Sequence, residues 1–160
     1  MDRRGPHSVR GGSRGHGRRR RGALALSRYC LDTSAYAHFK RGEPSAVAAI
    51  GSADWIGVPA VVLGELWLGF LLGGHLERNA AELAEFLDHP VVHEIVVDHD
   101  VARVYAEIVV ALRKAGTPVP TNDVWIAAAA AHTGTTVLTY DAHFHAVQRV
   151  GSIILEASPG

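Results

Sequence analysis

Four acidic residues lie where short motifs of this chain meet predicted structural elements. They are Asp32 in YCLDTSAY, Glu65 in VVLGELWLGF, Asp123 in TNDVWIAAAAA and Asp141 in LTYDAHF. Acidic side chains are costly in apolar surroundings unless a partner compensates for their lost hydration. Mg²⁺ and Mn²⁺ prefer carboxylate and water oxygens, so a divalent cation is the usual partner of such a cluster. The four acids therefore predict a metal-dependent enzyme that acts on phosphates.

Each acid also has a simpler interpretation. Asp32, Asp123 and Asp141 each stand at the start of a predicted helix, where an aspartate serves as an N-cap. Glu65 is harder to explain in this way, because apolar neighbours cover nearly every direction of its predicted helix. The four signals together favour a common site over four separate structural roles.

The remaining pattern predicts an α/β fold with a parallel sheet covered on both faces. Strands are predicted at RYCLD, VVHEIVV, TTVLTY and SIILE. Helices are predicted at TSAYAHF, EPSAVAAIGSA, 59–73, 77–88, a segment that Asp98 and Asp100 cap and that runs through Lys114 to stop at Gly116, 123–132 and AHFHAV. Ligands bind beyond the carboxyl ends of the strands in such sheets. Asp32 and Asp141 each follow a strand, so the fold can bring them together.

Charge divides the chain of 160 residues into two parts. Residues 1–28 contain nine arginines and one acid, and the remaining residues contain seven basic and fifteen acidic side chains. Residues 1–26 lack apolar periodicity and are predicted to be a disordered Arg-rich extension, followed by one folded domain over residues 27–160. Three interpretations of the extension stay open: an RNA-attracting arm, a solvated segment without a role, or a mis-assigned translation start.

The single cysteine, Cys30, fits a reducing cytosol and is predicted to be a small buried residue. The longest apolar stretch contains Glu65 and falls short of the about 20 residues that span a bilayer. The arginine-rich start precedes only GALALS, which is too short for a secretory signal. We therefore expect a cytoplasmic protein without a membrane partner.

Histidines and tryptophans provide weaker candidates. His143 and His145 follow Asp141, but a spacing of two places side chains on different faces of a helix, so a shared zinc site is not favoured. The pair is predicted to lie at the surface or at the rim of the site. The tryptophans could stack on bases, but each lies in an apolar stretch and is predicted to belong to the core or an interface.

Four motifs of the sequence together resemble those of a known family. The motifs LDTSAY, GEL followed by Gly69, PVPTNDVWIAAAA and LTYDAHF occur in this order across residues 28–155. They resemble the PIN-domain family and, within it, the VapC-type toxins of bacterial toxin–antitoxin pairs. The resemblance implies a three-layer α/β/α fold with a short-stranded central parallel sheet.

The resemblance also implies roles for particular residues. Asp32, Glu65 and Asp123 match the three principal metal-binding acids of the family, and Asp141 matches a more variable fourth acid that commonly reaches the metal through water. The implied cofactor is Mg²⁺ or Mn²⁺. The polar positions that orient the acids are matched by Thr33, Ser34, Asn122 and Thr139.

The function implied by the resemblance is that of a metal-dependent endoribonuclease, the toxin of a toxin–antitoxin pair. Its expected partners are an RNA substrate, a cognate antitoxin protein and a second copy of the chain, as a homodimer or as a heteromer with the antitoxin. The apolar helix 59–73 and its neighbour 77–88 are expected to supply the protein-binding surface. A catalytically inactive RNA- or protein-binding module with the same fold is the alternative.

Overall fold

The computed structural model describes residues 25–159. In chain order its elements are β1 (Arg28–Leu31), α1 (Thr33–Lys40), α2 (Pro44–Gly51), β2 (Trp55–Pro59), α3 (Ala60–Leu72), α4 (Leu76–Leu87), β3 (Val92–Ile95), α5 (His99–Ala115), α6 (Thr121–Thr133), β4 (Thr136–Thr139), a 3₁₀ helix (Ala142–Ala146) and β5 (Ser152–Ile154). The predicted disordered extension, residues 1–26, lies almost entirely outside the described residues.

The strands form one parallel sheet with the order β3-β2-β1-β4-β5. The chain first builds outward from β1 through β2 to β3, and then returns to add β4 on the other side of β1. The carboxyl ends of β1 and β4 therefore flank a topological switch point, where open parallel sheets form their ligand crevices. Right-handed crossovers place α1 to α4 on one face and α5 and α6 on the other. The predicted three-layer α/β/α class is confirmed.

Local signals explain several boundaries. The Asp98 side chain accepts a hydrogen bond of 2.9 Å from the Val101 amide and caps α5, as predicted. Gly116 ends the same helix with φ of 68°, a left-handed conformation that glycine adopts without a Cβ penalty. These two residues fix the limits of the longest described helix.

The core lies between the sheet and its two helical layers. Helix α6 contributes Ala127 to Ala130, which are all fully buried. Their small side chains let the helix backbone pack close to β1 and α5. Cys30 is fully buried beneath this helix, and burial raises the pKa of its thiol far above the usual range. The predicted role of Cys30 as a small buried residue is confirmed.

Most predicted elements have ends that differ from the observed ones by one or two residues, and two differences bear on the sheet and the site. Strand β2, WIGVP, was not predicted, because it runs directly into the apolar helix α3 and the two share one apolar stretch. Helix α6 begins at Thr121 instead of 123, with Pro120 as its N-cap. Asp123 therefore lies within the first turn of α6 and is not its cap.

No helix within residues 25–159 combines the length and the apolar character needed to cross a bilayer.

Candidate metal centre

Asp32 directly follows β1 and is the most buried of the four acids, with only 6% of its surface exposed. Its carboxylate accepts hydrogen bonds from the Thr33 amide at 2.7 Å, and from the hydroxyls of Ser34 and Thr139 at 2.6 Å each. The Asp32 amide donates to the Leu138 carbonyl at 3.1 Å, which ties the end of β1 to β4. Asp32 is thus both a helix cap and a fixed acid of the site.

The two hydroxyls that hold Asp32 are themselves fixed by the chain that leaves β4. The Tyr140 amide donates to the Ser34 hydroxyl at 3.0 Å, and the Asp141 amide donates to the Thr139 hydroxyl at 2.9 Å. Each hydroxyl therefore accepts a hydrogen bond from a backbone amide and donates one to Asp32. This arrangement aligns β1, α1 and the β4 exit around one carboxylate.

Glu65 lies half-buried on α3 and faces the same site. One carboxylate oxygen accepts a short hydrogen bond from the Thr33 hydroxyl, and the other accepts from the Asn122 side-chain amide at 2.7 Å. The apolar context of Glu65 predicted a partner for its charge. The structure supplies two polar partners, from α1 and α6, and these hold the side chain in one orientation.

Asp123 differs from the other acids because one of its carboxylate oxygens is buried without a hydrogen-bond partner among the described residues. Its side chain is only 15% exposed, and its Oδ2 is buried without a hydrogen bond among the described residues. The pKa of Asp123 is raised to about 6, first by burial and then by the carboxylates of Asp32, Asp141 and Glu65, against the opposing effect of His143. Asp123 is therefore close enough to the other three acids for their charges to affect its own ionisation.

Asp141 follows β4 and caps the 3₁₀ helix, because its Oδ1 accepts a hydrogen bond of 2.8 Å from the His143 amide. The His143 ring turns back over the same carboxylate, with Nδ1 at 3.0 and 3.1 Å from its two oxygens. The same nitrogen lies 3.7 Å from Oδ2 of Asp123. Asp141 and His143 are partly exposed, so they form the open rim of the site.

The structure thus brings together all four predicted acids and the four predicted orienting residues, although their roles remain predictions. Thr33 and Asn122 contact Glu65, while Ser34 and Thr139 contact Asp32. His143 was predicted to lie at the surface or at the rim of the site, without a zinc site shared with His145. Its partners are Asp123 and Asp141, and Asp123 lies twenty residues away, beyond the reach of a local spacing rule.

These residues fit a divalent metal ion. The site combines a buried oxygen that lacks a hydrogen-bond donor with neighbouring carboxylates that repel its charge. A cation satisfies both conditions, because it coordinates the unpartnered oxygen and offsets the repulsion. The site is thus an acid-lined crevice at the switch point of a parallel α/β sheet, with a composition that suits a divalent metal ion.

Comparison with known proteins identifies the family. The PIN domain matches residues 29–150. Ribonuclease VapC4 of Mycobacterium tuberculosis is 34% identical over 134 residues, which cover 82% of this chain and 100% of the relative. Ribonuclease VapC5 of the same organism is 32% identical over 123 residues, which cover 77% of this chain and 90% of the relative. The chain belongs to the PIN-domain family.

A solved structure supports the same relationship. VapBC-5 from Mycobacterium tuberculosis, a member of the VapBC family of toxin–antitoxin systems, matches with a TM-score of 0.62 and 30% identity. The match covers 81% of this chain and 99% of that chain. The resemblance found in the sequence motifs is therefore confirmed.

Proposed function

We propose that this protein is a metal-dependent endoribonuclease and the toxin of a toxin–antitoxin pair. The curated relatives that match most of the chain are ribonucleases, and VapBC-5 belongs to a toxin–antitoxin family. The observation that carries the catalytic part is the unpartnered, buried Oδ2 of Asp123 among three other carboxylates. Such an atom is costly in a protein that binds no cation there.

The metal would be held by Asp32, Glu65, Asp123 and Asp141, with Mg²⁺ or Mn²⁺ as the ion. When bound, a divalent ion lowers the pKa of a water molecule and stabilises the charge of a phosphate that is being hydrolysed. Asp32 and Glu65 are fixed by five hydrogen bonds from side chains and backbone, so they keep their positions in the absence of substrate. The chain therefore supplies a rigid acidic floor.

The RNA would approach from the side of Asp141 and His143. Their side chains are 39% and 57% exposed, whereas that of Asp123 is 15% exposed. The rim is thus accessible to a phosphodiester, whereas Asp123 is largely shielded from water. Because its substrate is RNA, the enzyme would act in the cytoplasm.

A protein partner would bind the exposed apolar face of α3. This face consists of Trp67, Leu68, Leu71, Leu72 and, at the start of α4, Leu76, which are between 38% and 81% exposed. Monomeric proteins seldom leave so many large apolar side chains together in water. We assign this face to the antitoxin or to a second copy of the chain. The proposed domain is residues 27–160, with residues 1–26 as an extension that the nuclease does not need.

The test is RNA cleavage by the purified protein in Mg²⁺, in Mn²⁺ and in excess chelator, with Asp123→Asn as the variant. Cleavage should require the metal and should be lost in the variant. Asp88→Asn is the matched control, because Asp88 is an exposed acid at the end of α4. Equal cleavage by wild type and Asp123→Asn would refute the proposed site. Metal binding without any RNA cleavage would favour the inactive binding module.

A further inference from the structure

His143 forms a compact group with two of the proposed metal-binding acids. One candidate ligand atom each from Asp123, Asp141 and His143 lies within 4.8 Å of the other two. We propose that Nδ1 of His143 is a direct ligand of the metal, and that this nitrogen makes the site prefer a first-row transition ion over Mg²⁺. The inference rests on the proposed function and specifies which ion its site takes.

The distances between the three groups are those of ligands around one ion. Neighbouring ligand atoms at about 2.1 Å from an ion lie about 3 Å apart, and opposite ones about 4 Å apart. Nδ1 of His143 lies 3.0 Å from Oδ1 of Asp141 and 3.7 Å from Oδ2 of Asp123. These two separations match those of ligand atoms around one ion, and the three candidate ligand atoms all lie within 4.8 Å of one another.

The local backbone aims the ring at this position. Asp141 caps the 3₁₀ helix through the His143 amide, which places the imidazole beside the carboxylate that holds its own backbone. Although 57% of the His143 side chain is exposed, its ring contacts the two acids instead of extending into water. Its Nδ1 presents a lone pair when the ring proton is on Nε2.

A nitrogen ligand changes which ion the site selects. Mg²⁺ demands oxygen ligands in octahedral geometry and retains several waters, and Mn²⁺ also suits oxygen ligands, whereas imidazole suits Fe²⁺, Ni²⁺, Cu²⁺ and Zn²⁺. The unpartnered Oδ2 of Asp123 remains available to either kind of ion. His143 therefore shifts a site of four carboxylates toward an ion that accepts mixed nitrogen and oxygen ligands.

A simpler role for His143 is a hydrogen bond to Asp141 without metal contact. The two roles differ in what a paramagnetic ion detects, because a directly bonded nitrogen couples to the electron spin of Mn²⁺. Pulsed electron paramagnetic resonance of the full-length protein loaded with Mn²⁺ should show an imidazole nitrogen coupling. The coupling should disappear in His143→Asn and persist in His145→Asn, a control from the same 3₁₀ helix that lies outside the group.

Calorimetric titration provides an independent measurement. His143→Asp replaces nitrogen by oxygen, so the ratio of Zn²⁺ to Mg²⁺ affinity should fall by about tenfold or more, with Mg²⁺ binding retained. Thermal melting in chelator checks that the three histidine variants are folded.

The remaining outcomes of these measurements would each contradict a particular part of the proposal. Mn²⁺ binding without nitrogen coupling, or a coupling that survives in His143→Asn, would exclude His143 as a ligand and leave the proposed nuclease intact. An unchanged affinity ratio in His143→Asp would exclude its effect on metal choice. Failure of wild type to bind Mn²⁺ at all would refute both this inference and the proposed metal dependence.

Discussion

Replacing Asp123 by asparagine should stabilise the metal-free protein. Burial and three neighbouring carboxylates raise the pKa of Asp123 from 3.8 to about 6. Each unit corresponds to 1.36 kcal/mol, so ionised Asp123 lowers the free energy of unfolding by about 3 kcal/mol. The neutral amide has nearly the same shape and can donate a hydrogen bond to an adjacent carboxylate. We therefore expect the variant to be more stable by up to about that amount near neutral pH.

The sign of the pH dependence follows from the raised pKa. Below about pH 4 the carboxyl group is protonated in both the folded and the unfolded chain, and the variant should have no advantage over wild type. As the pH rises through about 6, the folded wild type must lose a proton that the unfolded chain has already released. The stability that Asp123 gives in its protonated form is lost over this range. The advantage of the variant should grow from about pH 4 and level off above about pH 7.

Urea denaturation at pH 4.5 and pH 7.5 in excess chelator measures this difference. Asp88→Asn is the control and should change little between the two conditions. Saturating Mn²⁺ should reverse the order, because the ion stabilises wild type and binds the variant poorly. A variant that is less stable than wild type in chelator at pH 7.5 would refute the electrostatic reasoning.

Further predictions concern the metal, the acids, the hydroxyl network and the extension. At a hundredfold excess over its dissociation constant, Mn²⁺ should stabilise wild type by about 2.7 kcal/mol in melting experiments, and identical melting in chelator would exclude a metal site. Glu65→Gln should reduce RNA cleavage by about tenfold or more, whereas Glu77→Gln on exposed α4 should not, and equal cleavage by the two would contradict the assignment. Thr139→Val should cost about 1–3 kcal/mol in urea denaturation, because it removes a buried hydroxyl that donates to Asp32, whereas half-buried Thr136→Val should cost less. Deleting residues 1–26 should preserve folding and cleavage and should weaken RNA binding only at low salt, and loss of folding would refute the domain boundary.

The sequence predicted the parts of the fold that depend on local signals. Asp98 and Gly116 set the limits of α5 because a side-chain cap and a left-handed glycine act within a few residues. Strand β2 escaped prediction because Trp55–Pro59 continues directly into α3 as one apolar run. Periodicity cannot divide such a run, and only the pairing of β2 with β1 and β3 does so.

In the candidate site, too, features set by local signals were predictable and features set by distant contacts were not. The acids at strand ends were predictable, since parallel strands present their carboxyl ends at one edge. The Asp123 oxygen without a hydrogen bond was not predictable, because it depends on where α6 begins. It also depends on the neighbouring donors, since Asn122 and Thr33 donate to Glu65 and not to Asp123. His143 depends on a contact across the chain that its sequence neighbours do not reveal.

The pairing of β1 with β4 also determines when during synthesis the site can exist. Tyr29 of β1 pairs with Thr136 of β4, although more than a hundred residues separate them in the chain. A nascent polypeptide therefore carries Asp32 and Glu65 long before Thr139 and Asp141 emerge from the ribosome. Pairing between such distant segments is slow and comes late in folding. The protein would thus be inert toward the messenger that encodes it until translation of that messenger is nearly complete.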